Sequence, residues 1–543
     1  MTKHSSPAIA FFGHGQRSEL PSEEFGNKAA GLGTMSQLGV PVPPGFSLNI
    51  SLCEDYYRNG MQIPPNLPDL LNEGIAFLEK STGLAYGGPK KPLLVSVRSG
   101  APASMPGIMD TILNVGLNHE TIRGLIFQTG NPRFAWDSYR RLFENMSEIV
   151  FAHSPGQYQS LLSVIMANEG ISDAVEMDSS SLRRLIDDYQ RLFFSHEKEV
   201  FPQDVHNQLV LSSVAVLRSW TSPRAESFRR MHQVQDLRGT AITVQAMVFG
   251  NMGLNSGAGV AFTRNPWNGE NEPVIDFKFG AQGEDVVSGN QSATTQGELK
   301  ESMPLVYDDL LKIGKMLELH FLDMQDLEFT VQEGKLYILQ SRNGKRSPLS
   351  ALRIAVDMCR EGVITPEVAL SHLDGIDLDS IKVQRVSTRD YPIGTGISAS
   401  GGVATGSVAL TPERALDDSD KGPVILVRET ASPEDIEGIE SASGLLTAKG
   451  ARTSHAAVVA RQMGKVCIVN CAGLNIDTSY HKCHIGGVEL REGDTISLDG
   501  DSGLVYTGVV GITYEKPLDL LEIVSSWRSG TINTTAPAPG KEK

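Results

Sequence analysis

The chain has little cysteine and no long hydrophobic run. Its five cysteines in 543 residues are too few and too scattered for a disulfide framework. The apolar stretch near the N-terminus, residues 8–12, is too short for the core of a signal peptide. No later stretch is long and apolar enough to span a bilayer. We therefore expect a cytoplasmic protein with no membrane partner.

The chain also lacks an excess of positive charge. Its formal net charge is −16, so it has no general basic surface to displace counterions, and we expect no nucleic-acid partner. Nucleotide binding is not excluded, because it needs only a few local cations and a metal ion. A hydrophobic content of 40% over 543 residues is enough for several cores, which predicts two to four domains.

Three of the cysteines lie near histidines, which raises the possibility of a zinc site. Cys467, Cys471 and Cys483 are close in sequence to His481 and His484. The spacing lacks the paired C-x-x-C form, and residues 466–471 have the apolar pattern of a buried strand. The sequence therefore favours buried thiols over a metal site.

The pattern of apolar residues changes along the chain and divides it into four parts. Residues 1–346 alternate strand-like and helix-like segments. Residues 347–392 begin with a helical pattern and end, from 383, in a polar stretch that predicts a linker. Residues 393–510 are rich in glycine and short β-branched runs, typical of a compact domain of strands with few helices. Residues 511–543 form an extension, whose end from Thr531 we predict to be disordered.

The most informative motif is Thr-Ser-His-Ala-Ala-Val-Val-Ala-Arg, residues 453–461. Thr453 or Ser454 can cap a following helix, which puts His455 in the first helical turn. There the helix dipole and free backbone N–H groups disfavour an imidazolium and favour a bound anion. A neutral imidazole is a nucleophile, so His455 is a candidate carrier of a phosphoryl group. A histidine that only caps or packs is the alternative.

A second motif combines a strand with a glycine-containing loop. Residues 94–100 form a strand-like run that ends in Arg98-Ser-Gly and leads into Ser-Met-Pro-Gly-Ile-Met-Asp-Thr at 104–111. The backbone N–H groups of such a loop can form a concave site for phosphate, and an arginine can supply a planar fork. An ordinary turn without a phosphate is the alternative, because such turns have similar sequences.

A third motif is a predicted hairpin, residues 326–342, with its turn at Glu-Gly 333–334. Because side chains alternate along a strand, Asp326 and Glu328 share one face, and Gln340 and Arg342 share one face of the partner strand. Two acids, an amide oxygen and an arginine could hold Mg²⁺ and a polyphosphate. An exposed salt-bridged hairpin is the alternative.

Together these motifs resemble the pyruvate, phosphate dikinase and phosphoenolpyruvate synthase family. Further similar stretches are residues 26–32, 133–141, 244–251, 259–266, 281–287, 404–406 and 429–436. The resemblance implies an α/β and α+β multidomain protein, with an ATP-grasp nucleotide-binding domain followed by a swivelling β/α phosphohistidine domain. His455 falls on the phosphorylated position. The loop 105–111 resembles the dikinase version, which favours phosphate over water as acceptor of the γ-phosphoryl group.

The resemblance also implies roles for particular residues. The implied ATP-binding set consists of Lys28 and Arg98 on the phosphates, Gly107, Met109, Asp110 and Thr111 in the loop, Gln245, Met247 and Val248 near adenine, Glu284 near the nucleoside, and Glu328, Gln340 and Arg342. Glu328 and Gln340 would bind Mg²⁺, the implied cofactor. Arg98, Arg342 and Asp326 would act with His455 in phosphoryl transfer. Thr453 falls on a regulatory phosphorylation site of plant dikinases.

The implied reaction has two steps. ATP, phosphate and His455 would give AMP, diphosphate and phosphohistidine, and the phosphoryl group would then pass to pyruvate. Two alternatives remain open: a phosphotransferase acting on a different small molecule, and a non-catalytic regulatory relative. The intact set of candidate residues weighs against the second alternative.

The chain departs from the family pattern at two places. Gly450-Ala451-Arg452 stands where the family usually has Gly-Gly-Met, which removes one glycine and adds a cation beside the motif. Residues 511–543 are also too few to form the family's C-terminal (β/α)₈ barrel, which binds pyruvate or phosphoenolpyruvate. We therefore expect either that the pyruvate step needs a separate barrel subunit, or that a different acceptor binds near the helices of residues 347–390.

Overall fold

The chain folds into two compact units. The computed structural model describes residues 7–13, 15–16, 20–103, 110–171, 173–231, 234–287, 296–431, 435–450, 452 and 455–530. The first unit comprises residues 1–253 and 337–340, and the second comprises residues 254–336 and 341–543. The domain boundaries predicted from the sequence at residues 346 and 392 fall inside the second unit and stay predictions.

The first unit combines an antiparallel sheet with a layer of helices. Its strands are β1 (Ile9–Phe12), β2 (Gly45–Leu48), β3 (Ala85–Tyr86), β4 (Pro92–Leu93), β5 (Val95–Gly100), β6 (Thr111–Val115) and β7 (Ala241–Ala246). Its helices are α1 (Ser22–Gln37), α2 (Ser51–Arg58), α3 (Leu67–Thr82), α4 (Thr121–Thr129), α5 (Pro132–Asn145), α6 (Pro155–Glu169), α7 (Ser179–Glu197), α8 (Val205–Ser219) and α9 (Pro223–Met231). The main sheet has the order β1-β2-β7-β5-β6, and every neighbouring pair is antiparallel.

Helix α5 shows how local sequence starts the helical layer. Asn131 caps it by accepting a hydrogen bond from the Phe134 N–H, and a proline occupies the first turn. On its buried face, Phe143 stacks on Phe201 with ring centroids 4.0 Å apart. Burial alone would raise the pKa of Asp137, but the arginines at the next turn, Arg140 and Arg141, hold it well below its usual range.

The second unit contains two larger sheets and several helices. Its first strands are β8 (Gly257–Phe262), β9 (Val274–Phe279), β10 (Gln325–Gln332), β11 (Lys335–Asn343, of which residues 337–340 belong to the first unit), β12 (Val383–Val386), β13 (Gly394–Thr395), β14 (Ile397–Ser400) and β15 (Val403–Ala409). They are followed by β16 (Val424–Arg428), β17 (Gly444–Thr447), β18 (Val466–Val469), β19 (Asn475–Asp477), β20 (Lys482–Ile485), β21 (Val488–Arg491), β22 (Thr495–Asp499), β23 (Leu504–Thr507) and β24 (Ile512–Glu515). The helices are α10 (Gly283–Val287), α11 (Gln296–Ser302), α12 (Pro304–Phe321), α13 (Pro348–Arg360), α14 (Pro366–His372), α15 (Pro412–Ser419), α16 (Ile436–Ser441), α17 (His455–Gln462) and α18 (Leu518–Arg528).

A four-stranded sheet, the small sheet, has the order β11-β10-β8-β9. The hairpin predicted at residues 326–342 is confirmed as β10 and β11. Its turn residues, Glu333 and Gly334, have φ values of 50° and 78°, which are the positive values that a tight two-residue hairpin turn requires.

The residues from 393 to 510, which we call the carrier domain, form an eight-stranded sheet. Its order is β13-β23-β22-β15-β16-β17-β18-β14, with β15 to β18 parallel and α15, α16 and α17 as their connections. The strands predicted from the short β-branched runs of this segment are confirmed as β15, β16, β17, β18 and β22. The parallel strands are buried on both faces, and in β16 the consecutive residues Val424, Ile425, Leu426 and Val427 are all fully buried.

The segments on either side of the carrier domain pair with each other. The predicted linker from residue 383 begins with strand β12, which pairs antiparallel with β24 and matches Val386 with Ile512. The helix α18 that follows packs Leu520 and Val524 into the same hydrophobic cluster as α13 and α14. The helical pattern predicted from residue 347 is confirmed by α13 and α14. The predicted disorder from Thr531 lies outside the described residues.

None of the described helices is both long enough and apolar enough to cross a bilayer.

Candidate active site

Lys28 and Arg98 are brought to neighbouring elements of the first unit by a close backbone contact. Gly26 interrupts α1 with φ of 77°, and a Cβ atom there would lie 2.0 Å from the Gly100 carbonyl oxygen. The N–H of Asn27 donates to the carbonyl of Ala101 at 3.0 Å. The turn of α1 that carries Lys28 therefore lies against the end of β5, the strand that carries Arg98. Only glycine allows this approach.

Arg98 is adjacent to one end of the predicted phosphate loop. On β5 and β6, Arg98 is paired in register with Thr111, and both side chains are half-buried. The strand predicted at residues 94–100 is thus confirmed, and it lies beside the residue that ends the loop. Gly107 and Met109, which were predicted to bind ATP, lie outside the described residues.

Asp110 lies in a charged environment that the sequence did not indicate. Burial raises its pKa, and Arg224 opposes that rise. Glu148 also interacts electrostatically with Asp110. Arg224 and Glu148 lie on separate helical segments far along the chain, and no motif surrounds them. The sequence therefore held no signal that they would meet Asp110.

The residues predicted near the nucleoside differ in their exposure. Gln245 is 1% exposed, and its side-chain amide donates to the Pro43 carbonyl at 3.0 Å. Met247 and Val248 follow the end of β7 and are half-buried. Glu284 is in helix α10. The adenine and nucleoside roles stay predictions.

In the second unit, Asp326 and Arg342 form an ion pair. The Arg342 Nε donates to Asp326 Oδ2 at 2.7 Å, and the Asp326 side chain is only 4% exposed. Burial raises the pKa of Asp326, while Arg342 opposes that rise. The pairing of these two residues across the hairpin agrees with the predicted arrangement of side chains.

The donor set on β10 fits a magnesium ion that is completed by phosphate oxygens. Asp326 Oδ1 is a buried oxygen without a hydrogen-bond partner among the described residues, and the half-buried Glu328 lies two residues along the same strand. In the described ranges, no group of three or more His, Cys, Asp or Glu could hold a metal by itself. Mg²⁺ commonly uses one or two carboxylates together with substrate phosphates. Gln340, the other predicted ligand, lies on β11 and belongs to the first unit.

The helix predicted after Ser454 is confirmed, because α17 begins at His455. Thr453 and Ser454, which were predicted to cap this helix, lie outside the described residues. The predicted regulatory role of Thr453 therefore stays a prediction. The start of a helix offers free backbone N–H groups to an anion. The backbone of His455 therefore lies where such N–H groups are free, and its role as a phosphoryl carrier stays a prediction.

Arg461, at the other end of α17, joins that helix to the small sheet. It is 2% exposed, and its Cζ lies 5.3 Å from the ring centroid of Phe262 on β8. Burial lowers the pKa of Arg461 to about 10, so the group remains a cation at neutral pH. Asp326 and Asp276 are among the groups that interact with it electrostatically. We did not predict this role, although Arg461 is the last residue of the motif and follows an apolar run.

Comparison with known proteins identifies the family. Residues 60–307 and 296–362 match the family model described as pyruvate phosphate dikinase, AMP/ATP-binding domain. The chain belongs to the pyruvate, phosphate dikinase family. Residues 421–503 of this dikinase-family chain match a second model, described as PEP-utilising enzyme, mobile domain. The predicted family and the multidomain fold class are confirmed.

Several curated dikinases are similar over nearly the whole chain. Pyruvate, phosphate dikinase of Clostridium symbiosum is 41% identical over 95% of this chain and 60% of its own length. Pyruvate, phosphate dikinase 2 of Zea mays is 41% identical over 93% of this chain and 58% of its own length. Pyruvate, phosphate dikinase of Rhizobium meliloti (strain 1021) is 40% identical over 97% of this chain and 61% of its own length. The chain thus spans about 60% of the length of these relatives.

Proposed function

We propose that this protein is an ATP- and phosphate-dependent phosphotransferase that carries a phosphoryl group on His455. The γ-phosphoryl group of ATP passes to inorganic phosphate and gives diphosphate. The β-phosphoryl group passes to an imidazole nitrogen of His455, and AMP leaves. The observation that carries this proposal is the position of His455 at the first residue of α17, whose Arg461 contacts the sheet that holds Asp326.

Each candidate residue has a defined task in this reaction. Asp326 orients Arg342 through its Nε, and that bond does not use the two terminal guanidinium nitrogens, which can bind phosphoryl oxygens. Lys28 and Arg98 bind the phosphate chain of ATP. Glu328, with Gln340, is the proposed protein ligand of Mg²⁺, which would neutralise phosphate charge when bound.

Labelling of the histidine tests the proposal. The protein incubated with magnesium, phosphate and β-³²P-labelled ATP should acquire an acid-labile label, and His455→Ala should abolish it. His481→Ala is the matched control, because His481 lies in the same domain with its side chain 75% exposed. Label that persists in the H455A variant, or label from γ-³²P-labelled ATP, would contradict the assignment.

Product analysis distinguishes phosphate from water as the γ acceptor. With phosphate as acceptor, diphosphate should form together with AMP, and omitting phosphate should suppress AMP formation. AMP production at an unchanged rate without phosphate would instead indicate a synthase type of reaction.

For the second step we propose pyruvate as the acceptor, since the similar proteins are named for pyruvate and phosphate. We also propose that a separate phosphoenolpyruvate- or pyruvate-binding barrel subunit supplies the acceptor site. Phosphorylated protein should convert pyruvate to phosphoenolpyruvate when a barrel domain from a relative is added. Equal conversion without the barrel would contradict the role of a partner, and transfer only to another small molecule would contradict pyruvate.

A further inference from the structure

Arg452 lies three residues before His455, and its side chain reaches the small sheet. Its Nε is 3.6 Å from Asp276 Oδ1, an ion pair that is longer than a hydrogen bond. Its Cζ lies 5.5 Å from the centroid of the Trp267 ring, within the range of a cation–π contact. The Arg452 side chain is 29% exposed and that of Asp276 is 7% exposed, so solvent only partly screens the pair.

The surface that receives Arg452 is part of a hydrogen-bonded framework. Asp276 is on β9, where it pairs in register with Val260 of β8. Trp267 is 8% exposed, and its carbonyl accepts a hydrogen bond from the Ser347 hydroxyl at 2.7 Å. Because sheet and loop contacts hold both residues, the surface offers Arg452 a carboxylate and an aromatic face in fixed positions.

The second arginine of this interface, Arg461, is held differently. Its Nε donates to the Ala399 carbonyl at 3.2 Å, and its Nη2 donates to the Arg452 carbonyl at 2.9 Å. Both acceptors are main-chain atoms of the carrier domain, so these bonds do not depend on docking. Outside the carrier domain, Arg461 contacts the aromatic faces of Phe262 and Trp267. The Arg452 guanidinium contacts Trp267 and also a carboxylate, Asp276.

We propose that Arg452 is a positioning residue that holds the His455 helix against the small sheet while the histidine is phosphorylated. The role rests on the proposed function, because docking matters for catalysis only if His455 receives its phosphoryl group there. Replacing the side chain leaves the Arg452 carbonyl available to Arg461. The docking role of the side chain can therefore be separated from the structural role of the main chain.

The test compares Arg452→Met with Arg491→Met. Arg491 is in the carrier domain with its side chain 75% exposed, so its replacement removes the same charge without touching the interface. Loss of a partly buried ion pair and a cation–π contact should lower the docking equilibrium constant about five- to thirty-fold. In a single turnover, R452M should form phosphohistidine more slowly by about that factor, and R491M should stay within about twofold of the wild type.

A second pair of variants tests the partner. Asp276→Asn should slow the step less than R452M, because it removes the ion pair and leaves the Trp267 contact, and the double variant R452M/D276N should be little slower than R452M. Increasing salt should slow the wild type more than R452M, since salt screens the ion pair. Additive effects of the two substitutions would overturn the assignment of Asp276.

Small-angle X-ray scattering of the full chain gives a measurement that does not depend on activity. R452M should scatter as a more extended particle than the wild type, and R491M should not. If the wild type forms no phosphohistidine but R452M alone is extended, the proposed function fails and the docking role stands. If R452M scatters like the wild type, or an active wild type and R452M phosphorylate at equal rates, the docking role is wrong.

Discussion

Replacing Arg264 should destabilise the second unit more than any exposed charge in the same region. The guanidinium is 0% exposed and donates to Glu318 at 2.9 and 3.1 Å and to Glu361 at 2.9 and 2.7 Å. Glu318 lies on α12, Glu361 ends α13, and Arg264 follows β8. One buried cation therefore joins three elements, and Arg264→Met removes it.

The loss of stability depends on how well the two glutamates are still paired after Arg264 is replaced. Removing one member of a buried ion pair typically costs about 3–5 kcal/mol, because the other charge stays buried. In R264M, Glu318 would still accept hydrogen bonds from the Thr263 hydroxyl at 2.7 Å and from the Lys315 ammonium at 3.4 Å, which reduces that cost. We therefore expect a loss of about 3 kcal/mol, equivalent to a fall in melting temperature of about 5 °C for a unit of ~290 residues.

Scanning calorimetry at one fixed scan rate measures this change. Lys312→Met is the matched control, because Lys312 is on α12 with its side chain 74% exposed, and we expect a shift of less than about 2 °C. The double variant R264M/E318M should recover much of the stability, since it leaves no unpaired buried carboxylate at position 318. If R264M melts within about 2 °C of the wild type, the reasoning is refuted.

Two further substitutions test the first unit and the pH dependence of stability. Gly26→Ala should weaken ATP binding in calorimetric titrations, because the added Cβ would lie 2.0 Å from the β5 backbone. Gly39→Ala is the control: Gly39 also has a φ of 78°, but a Cβ there has nothing within 4 Å, so this variant should bind ATP normally. An equal loss of ATP affinity in both variants would contradict the steric argument. Burial alone would raise the pKa of Glu361, but Arg264 and Lys315 lower that pKa below its usual value. The stability that ionised Glu361 contributes is therefore fully present above about pH 4.3, and it is lost as the pH falls through the lowered pKa. Thermal unfolding between about pH 5 and 3 should therefore show a smaller loss of stability for Glu361→Gln than for the wild type, and parallel losses would contradict this.

The elements that the sequence predicted correctly are those with local signals. The strands of the carrier domain contain short runs of consecutive apolar and β-branched residues, and the hairpin has a Glu-Gly turn between two runs of alternating apolar residues. The helix at His455 begins after a Thr-Ser pair, a common start signal. These signals depend on a few consecutive residues, so no knowledge of the tertiary fold was needed to read them.

The parts that were not predicted depend on contacts between distant segments. Arg461 meets Phe262 only because the tertiary fold brings its side chain to β8, and Asp110 meets Arg224 only because the fold brings a distant helix to it. Strand β12 has the sequence Val-Gln-Arg-Val, without the apolar run of the predicted strands, and its partner β24 lies beyond the whole carrier domain. Such pairings are decided by the global fold and leave no local trace in the sequence.

The pairing of β12 with β24 makes the carrier domain an insertion. The chain enters and leaves this domain through two adjacent antiparallel strands, and the Ser387 N–H donates to the Gly511 carbonyl at 2.7 Å. Its two ends are therefore close enough for a short turn to join Val386 to Ile512. In the remaining chain, α18 would still follow β24 and could pack on α13 and α14. The whole carrier domain could thus be removed or replaced, in evolution or by protein engineering, by changing the chain only where β12 meets β24.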